Sequence, residues 1–234
     1  MLRVKFFKAE WFPFCGPFIV FMLFVMIENL LDSDKTGPIY GIYPVKTVFV
    51  GVLIAAVWSK LPTFRIVSFP GSICVGILVF AIWVQLDPYL PWLDETLNLS
   101  WASSDGFREG GFNLRLFIDD VFIWWLVIIS RVVGTVLVVP LAEELFWRGW
   151  LQRWLVNEKF TSVQIGEYSF SSFSIVTILF ASVHSQVFVA LVAGVIFGLW
   201  VVKTKSLWDV VLSHAVANLL LAVFVLLTGR YYFW

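Results

Sequence analysis

The stretch Val138-Val139-Pro140-Leu141-Ala142-Glu143-Glu144-Leu145-Phe146-Trp147-Arg148 sets two adjacent carboxylates and a guanidinium inside a strongly apolar run. Ionisable groups at membrane depth cost at least about 2.5 kcal/mol each. A chain that retains such a cluster in an apolar segment has a use for it. The only two histidines, His184 and His214, also stand in apolar segments. Whether these groups converge is the functional question the sequence poses.

Composition fixes the broad class. Hydrophobic residues make up 60% of the 234, and only 14% are charged, against about 25% in soluble domains. Mean hydropathy is +0.91. The 13 Trp and 24 Phe suit a surface that faces lipid, with rings at headgroup level. The formal net charge of zero gives no sign of a nucleic-acid partner. Cys15 and Cys74 fall in apolar runs and read as small buried hydrophobes, not as a disulfide or metal pair.

At roughly 20 residues per span, the chain divides into about eight membrane-embedded segments: 11–31, 43–59, 71–87, 117–139, 141–156, 171–185, 187–203 and 206–228. The first is long and lacks a clear small-residue cleavage site, so it reads as a retained helix, not a signal peptide. Asp32, Asp34, Lys35 and Gly37-Pro38 part the first two segments; Lys60, Pro62 and Arg65 part the next two. The longest connection, 88–116, is rich in Asp, Glu, Gly and Ser, with Trp92 and Trp101 as interfacial anchors. No repeat or soluble module stands out. The expected fold is an all-α polytopic membrane bundle forming one domain over 1–234.

Basic residues give the orientation. Arg3, Lys5 and Lys8 place the amino terminus in the cytoplasm, and Lys60, Arg65, Lys203 and Lys205 are expected on the same side. Segment 141–156 conflicts with this count: if it crosses the bilayer separately, Arg153 and Lys159 land outside. A tilted, partly inserted or re-entrant helix would remove the conflict.

Pro140 suits the first turn of a helix running to about 156. Glu144 and Arg148, four apart, share a face and can pair. Glu143 is rotated from Glu144 by about 100°, free to point at a reacting centre. Burial in a water-poor site would raise its pKa, as a general base near neutral pH requires. His214 and Asn218, also four apart, can donate two hydrogen bonds to one oxygen, as a developing oxyanion needs. His184 can orient a water together with Glu143.

Glu-Glu-x-x-x-Arg at Glu143/Glu144/Arg148, Phe-x-x-x-His at Phe180/His184 and His-x-x-x-Asn at His214/Asn218, in this order on successive membrane segments, resemble the CAAX protease and bacteriocin-processing (Abi) family of intramembrane endopeptidases. The resemblance covers roughly 120–228, the expected catalytic core. It implies a metal-free, glutamate-dependent hydrolase of a membrane-associated protein or peptide. In it Glu143 activates water with His184, His214 and Asn218 form the oxyanion site, and Glu144 and Arg148 hold the geometry. The run Tyr43-Pro44-Val45-Lys46-Thr47, the Glu-Glu-Leu-Phe-Trp-Arg-Gly form of the first motif and the ending Thr228-Gly229-Arg230-Tyr231-Tyr232-Phe233-Trp234 are similar to the branch associated with exosortase and PEP-CTERM sorting. That likeness implies a bacterial inner membrane, surface-protein sorting and exosortase-system partners, and leaves the substrate open.

Each feature has a plainer counterpart. Glu144 and Arg148 can be a structural ion pair, the histidines satisfied core residues, and Asn218 a helix–helix hydrogen-bonding residue. Arg131 with Asp119 and Asp120 can be an ion pair, a substrate contact or a snorkelling interface. The rival chemistry is zinc held by two His and a Glu, although the His-Glu-x-x-His spacing is missing. The rival class is a non-proteolytic membrane scaffold or immunity-type factor of the same fold. A proton-relay transporter would call for an inverted repeat, and none is visible.

Overall fold

The structure, a computed structural model, describes residues 9–32, 41–86, 89 and 118–233. The basic residues before Ala9, the Asp34–Pro38 linker and most of 88–116, with Trp92 and Trp101, lie outside that set. Among the described residues the secondary structure is entirely helical. The helices are α1 (Phe12–Asp32), α2 (Ile42–Val57), α3 (Phe69–Leu86), α4 (Val121–Trp154), α5 (Phe170–Ser182), α6 (Val187–Thr204) and α7 (Leu207–Thr228). Five stretches are long and apolar enough to cross a membrane: Ile42–Lys60, which adds a 3₁₀ turn to α2, and α3, α4, α6 and α7. α1 and α5 contribute shorter apolar helices. The chain is a multi-pass membrane protein.

Its surface is apolar and much of its polarity is inside. Val48, Val52 and Leu227 are exposed, whereas Lys46, Ser72, Glu144, Arg148, Asp209 and His214 are buried. Buried Lys46 is neutralised by Glu28 at 2.6 Å. Small residues permit the close approaches. A Cβ on Gly76 of α3 would stand 2.6 Å from the Ser213 carbonyl oxygen of α7, so those two backbones meet where only glycine fits.

One expectation is corrected. Segments 117–139 and 141–156 form a single continuous helix, and Pro140 lies inside it. The reason is a change of register. Gly134–Val138 is a π-helical segment in which Val139 N–H bonds to Gly134 O, five residues back. The next bond in that register would join residue 140 to Thr135 O, and Pro140 has no N–H to give. The wide π turn absorbs the proline, and the helix continues through a second π segment, Leu145–Leu151. At 34 residues the rod is about 51 Å long, more than the roughly 30 Å of a bilayer's hydrocarbon core.

A single crossing also removes the charge conflict. The end of α2, the start of α3, the end of α4, the start of α5 and the α6–α7 turn all meet at one end of the bundle. Ser206 Oγ donates to Arg65 O at 3.0 Å, Trp208 Nε1 donates to Thr63 O at 3.0 Å, and Lys205 Nζ donates to Gly166 O at 2.5 Å. Asp209 is the pin of this end. Its carboxylate accepts from Val67 N and Ser68 N, each at 2.7 Å, and from Ser72 Oγ at 3.1 Å. At the opposite end Asp120 caps α4 by accepting from Ile123 N, and Arg131 lies 4.9 Å over the Tyr43 ring.

Candidate active site

Glu144 is fully buried on α4. Its Oε1 accepts from Arg148 Nη1 at 3.1 Å and from His214 Nδ1 at 2.9 Å. Arg148 Nη2 donates to Gly194 O at 3.3 Å, and the guanidinium lies 4.6 Å over the Phe180 ring. The first motif is thereby tied to α5, α6 and α7. Sequence spacing anticipates the Glu144–Arg148 bond. The bond to His214, 70 positions on, is invisible to it.

Glu143 points elsewhere. It is 5% exposed, borders a cavity of about 270 Å³, and makes no side-chain hydrogen bond among the described residues. His184, His214 and Asn218 border the same cavity, whereas Glu144 and Arg148 lie behind it. The seven motif residues thus split into five that line the hollow, Phe180 among them, and two that stand behind it, with Glu144 holding His214 and Arg148 holding Glu144.

The histidine geometry fixes proton positions. His184 follows the end of α5, and its Nδ1 sits 2.7 Å from Phe180 O. A carbonyl oxygen can only accept, so Nδ1 carries the proton and Nε2 of the neutral ring carries a lone pair. The Phe180 and His184 rings also touch, with centroids 4.6 Å apart, which gives the Phe-x-x-x-His spacing its structural content. The His214 ring stacks on Phe197 at 4.9 Å, with Nδ1 directed at Glu144.

Asn218 departs from the expectation that it and His214 are both free to donate to one oxygen. Its Nδ2 donates to Thr135 O at 2.8 Å, the carbonyl that Pro140 leaves without its π-register partner. The helix–helix role weighed for Asn218 is therefore present, and one of its two amide hydrogens remains. On His214, Nδ1 is committed to Glu144, and Nε2 remains.

Two cavity residues escape the sequence reading. Trp83 Nε1 donates to Gln186 Oε1 at 3.0 Å, and Gln186 is itself buried. The Trp83 ring lies edge-on to His184 at 5.9 Å. A lone Trp in α3 and a Gln in the α5–α6 turn carry no motif, and only the tertiary fold joins them. Among the described residues, no group of three or more His, Cys, Asp and Glu side chains has a metal-holding arrangement.

No curated protein and no solved structure matches the chain. Residues 122–220, which contain every motif residue from Glu143 to Asn218, match the family model described as Rce1-like, type II CAAX prenyl endopeptidase Rce1-like.

Proposed function

We propose that the protein is an intramembrane, metal-independent endopeptidase that hydrolyses a peptide bond of a membrane-associated protein. The observation that carries this reading is the single cavity bordered by Glu143, His184, His214 and Asn218; the match over 122–220 supports it.

Two acceptors and two donors suit the reaction. A water between Glu143 and the lone pair of His184 Nε2 donates one hydrogen to each, which aims an oxygen lone pair at a substrate carbonyl. Glu143 takes the proton as the C–O bond forms, and it or His184 returns one to the leaving amine as the C–N bond breaks. The remaining N–H of Asn218 and a protonated Nε2 of His214 receive the carbonyl oxygen as it becomes an oxyanion. That role needs protons on both His214 nitrogens, and Glu144 accepts the one on Nδ1. Glu144 and Arg148 act from behind as positioning residues.

The Tyr43–Thr47 run and the ending 228–234 lie outside the matched residues, so placement in exosortase-associated surface-protein sorting rests on resemblance alone. The test is to map new amino and carboxyl termini in membrane and secreted fractions of cells carrying wild-type or Glu143→Gln protein. Termini that vanish in the variant support proteolysis and name the substrate. Identical termini from a well-expressed variant that keeps the normal phenotype favour a scaffold.

A further inference from the structure

The cavity has a direction. Its α7 residues, His214, Asn218 and Leu221, stand 7 to 14 positions beyond Leu207, or about 10–21 Å from the end pinned by Asp209 at 1.5 Å per residue. Val79 and Trp83 of α3 stand at about 15–21 Å on the same scale. Ser185 and Gln186, in the turn beyond α5, complete that side of the lining. Between the cavity and the pinned end lies a closed layer: Val201, Leu207, Asp209 and Val210 are at most 1% exposed. The hollow therefore begins at mid-depth and leads away from the pinned end.

The pinned end is the basic end. Lys60, Arg65, Arg153, Lys159, Lys203 and Lys205 belong to the segments that meet there, and Lys60, Arg153 and Lys205 border one depression. Arg3, Lys5 and Lys8 precede α1, whose start borders the same depression through Pro13 and Phe14. The longest connection at the opposite end is acidic: between Leu86 and Val121 the sequence has Asp87, Asp94, Glu95, Asp105, Glu109, Asp119 and Asp120 against Arg108 and Arg115. Short loops rich in Lys and Arg stay in the cytoplasm.

We infer that the site is served from the non-cytoplasmic face of the membrane, and that its substrates are outward-lying, membrane-proximal segments of anchored or exported proteins, not the cytoplasmic lipidated carboxyl termini that a prenyl endopeptidase processes. What the cavity does rests on the hydrolase reading above. Which way it faces rests on charge and depth. Val79, Phe80 and Leu221 at the wall suit apolar residues beside the scissile bond.

The direction is tested without reference to catalysis. Cys15 and Cys74 are replaced by Ala, and single cysteines are placed by Ser185→Cys at the cavity mouth, Arg230→Cys beyond α7, and Glu158→Cys at the basic end; all three positions are exposed. Intact cells expressing each full-length variant are treated with a membrane-impermeant maleimide. The inference expects labelling of Ser185→Cys and Arg230→Cys in intact cells, and of Glu158→Cys only after permeabilisation. The reverse pattern overturns it, as does Ser185→Cys that stays unlabelled until permeabilisation or throughout. The Glu143→Gln termini then address the substrate class. Vanishing termini in outward segments agree with it, and vanishing termini at cytoplasmic carboxyl ends overturn it while leaving the hydrolase standing. A variant without vanishing termini defeats the hydrolase and leaves the labelled face intact.

Discussion

Removing the Arg148 guanidinium exposes how much the fold leans on its buried charge. Arg148 is 1% exposed and Glu144 is 0% exposed. Arg148→Met keeps an apolar stem of similar reach but strips Glu144 of one of its two donors and frees Gly194 O. Breaking a buried pair by deleting one partner costs about 3–5 kcal/mol. Hydrogen bonds between membrane helices average nearer 0.6 kcal/mol, because the unfolded state in lipid also finds partners. The charge left behind on Glu144 is the larger effect, so about 3 kcal/mol is expected. With a midpoint shift of about 2–4 °C per kcal/mol at this chain length, thermal unfolding in micelles should fall by about 6–12 °C. Arg148→Met combined with Glu144→Gln removes both charges and should recover most of the loss without recovering activity. A single variant that melts with the parent, or a double variant no better than the single, would refute the pairing argument.

Three further outcomes follow from the geometry. Asn218→Ala should destabilise by about 1–2 kcal/mol by orphaning Thr135 O; in a Pro140→Ala background, where residue 140 regains an N–H, the loss should shrink, and a double-mutant cycle with no coupling would sink that account. Asp209→Ala takes the acceptor from Val67 N–H, Ser68 N–H and the Ser72 hydroxyl hydrogen, although Ser72 Oγ still accepts from Trp200 Nε1, so a loss of about 3 kcal/mol is expected, seen as faster proteolysis of the 61–68 loop at the basic end; unchanged protease resistance would count against it. Turnover by purified protein should survive prolonged chelation, whereas loss restored by added zinc would move the mechanism to a metal.

The helices are legible in the sequence because their signal is local, and the spaced motifs single out Glu143, His184, His214 and Asn218, which border one cavity. Apolar runs mark spans, and i,i+4 spacing puts Glu144 beside Arg148 and His214 in line with Asn218. The sequence misplaced the break at Pro140, because proline ordinarily starts or kinks a helix and a π turn that absorbs it leaves no compositional trace. It also missed the partners that finish the site. Glu144 meets His214, Asn218 meets Thr135, and Trp83 meets Gln186 only through helix packing. Asp209 looks like an acidic first-turn residue of α7, and its three donors, two from the α2–α3 connection and one from the first turn of α3, appear only in the fold.

The most direct test of the hydrolase is Glu143→Gln in purified protein reconstituted in liposomes, with turnover of a peptide carrying the mapped cleavage site and thermal unfolding measured on the same sample. A general base contributes about 10²–10⁴-fold, so turnover should fall by at least about 100-fold with the melting midpoint unchanged or raised, since the Glu143 carboxylate makes no hydrogen bond among the described residues. Full turnover by a Glu143→Gln protein that melts like the parent would contradict the mechanism at its centre.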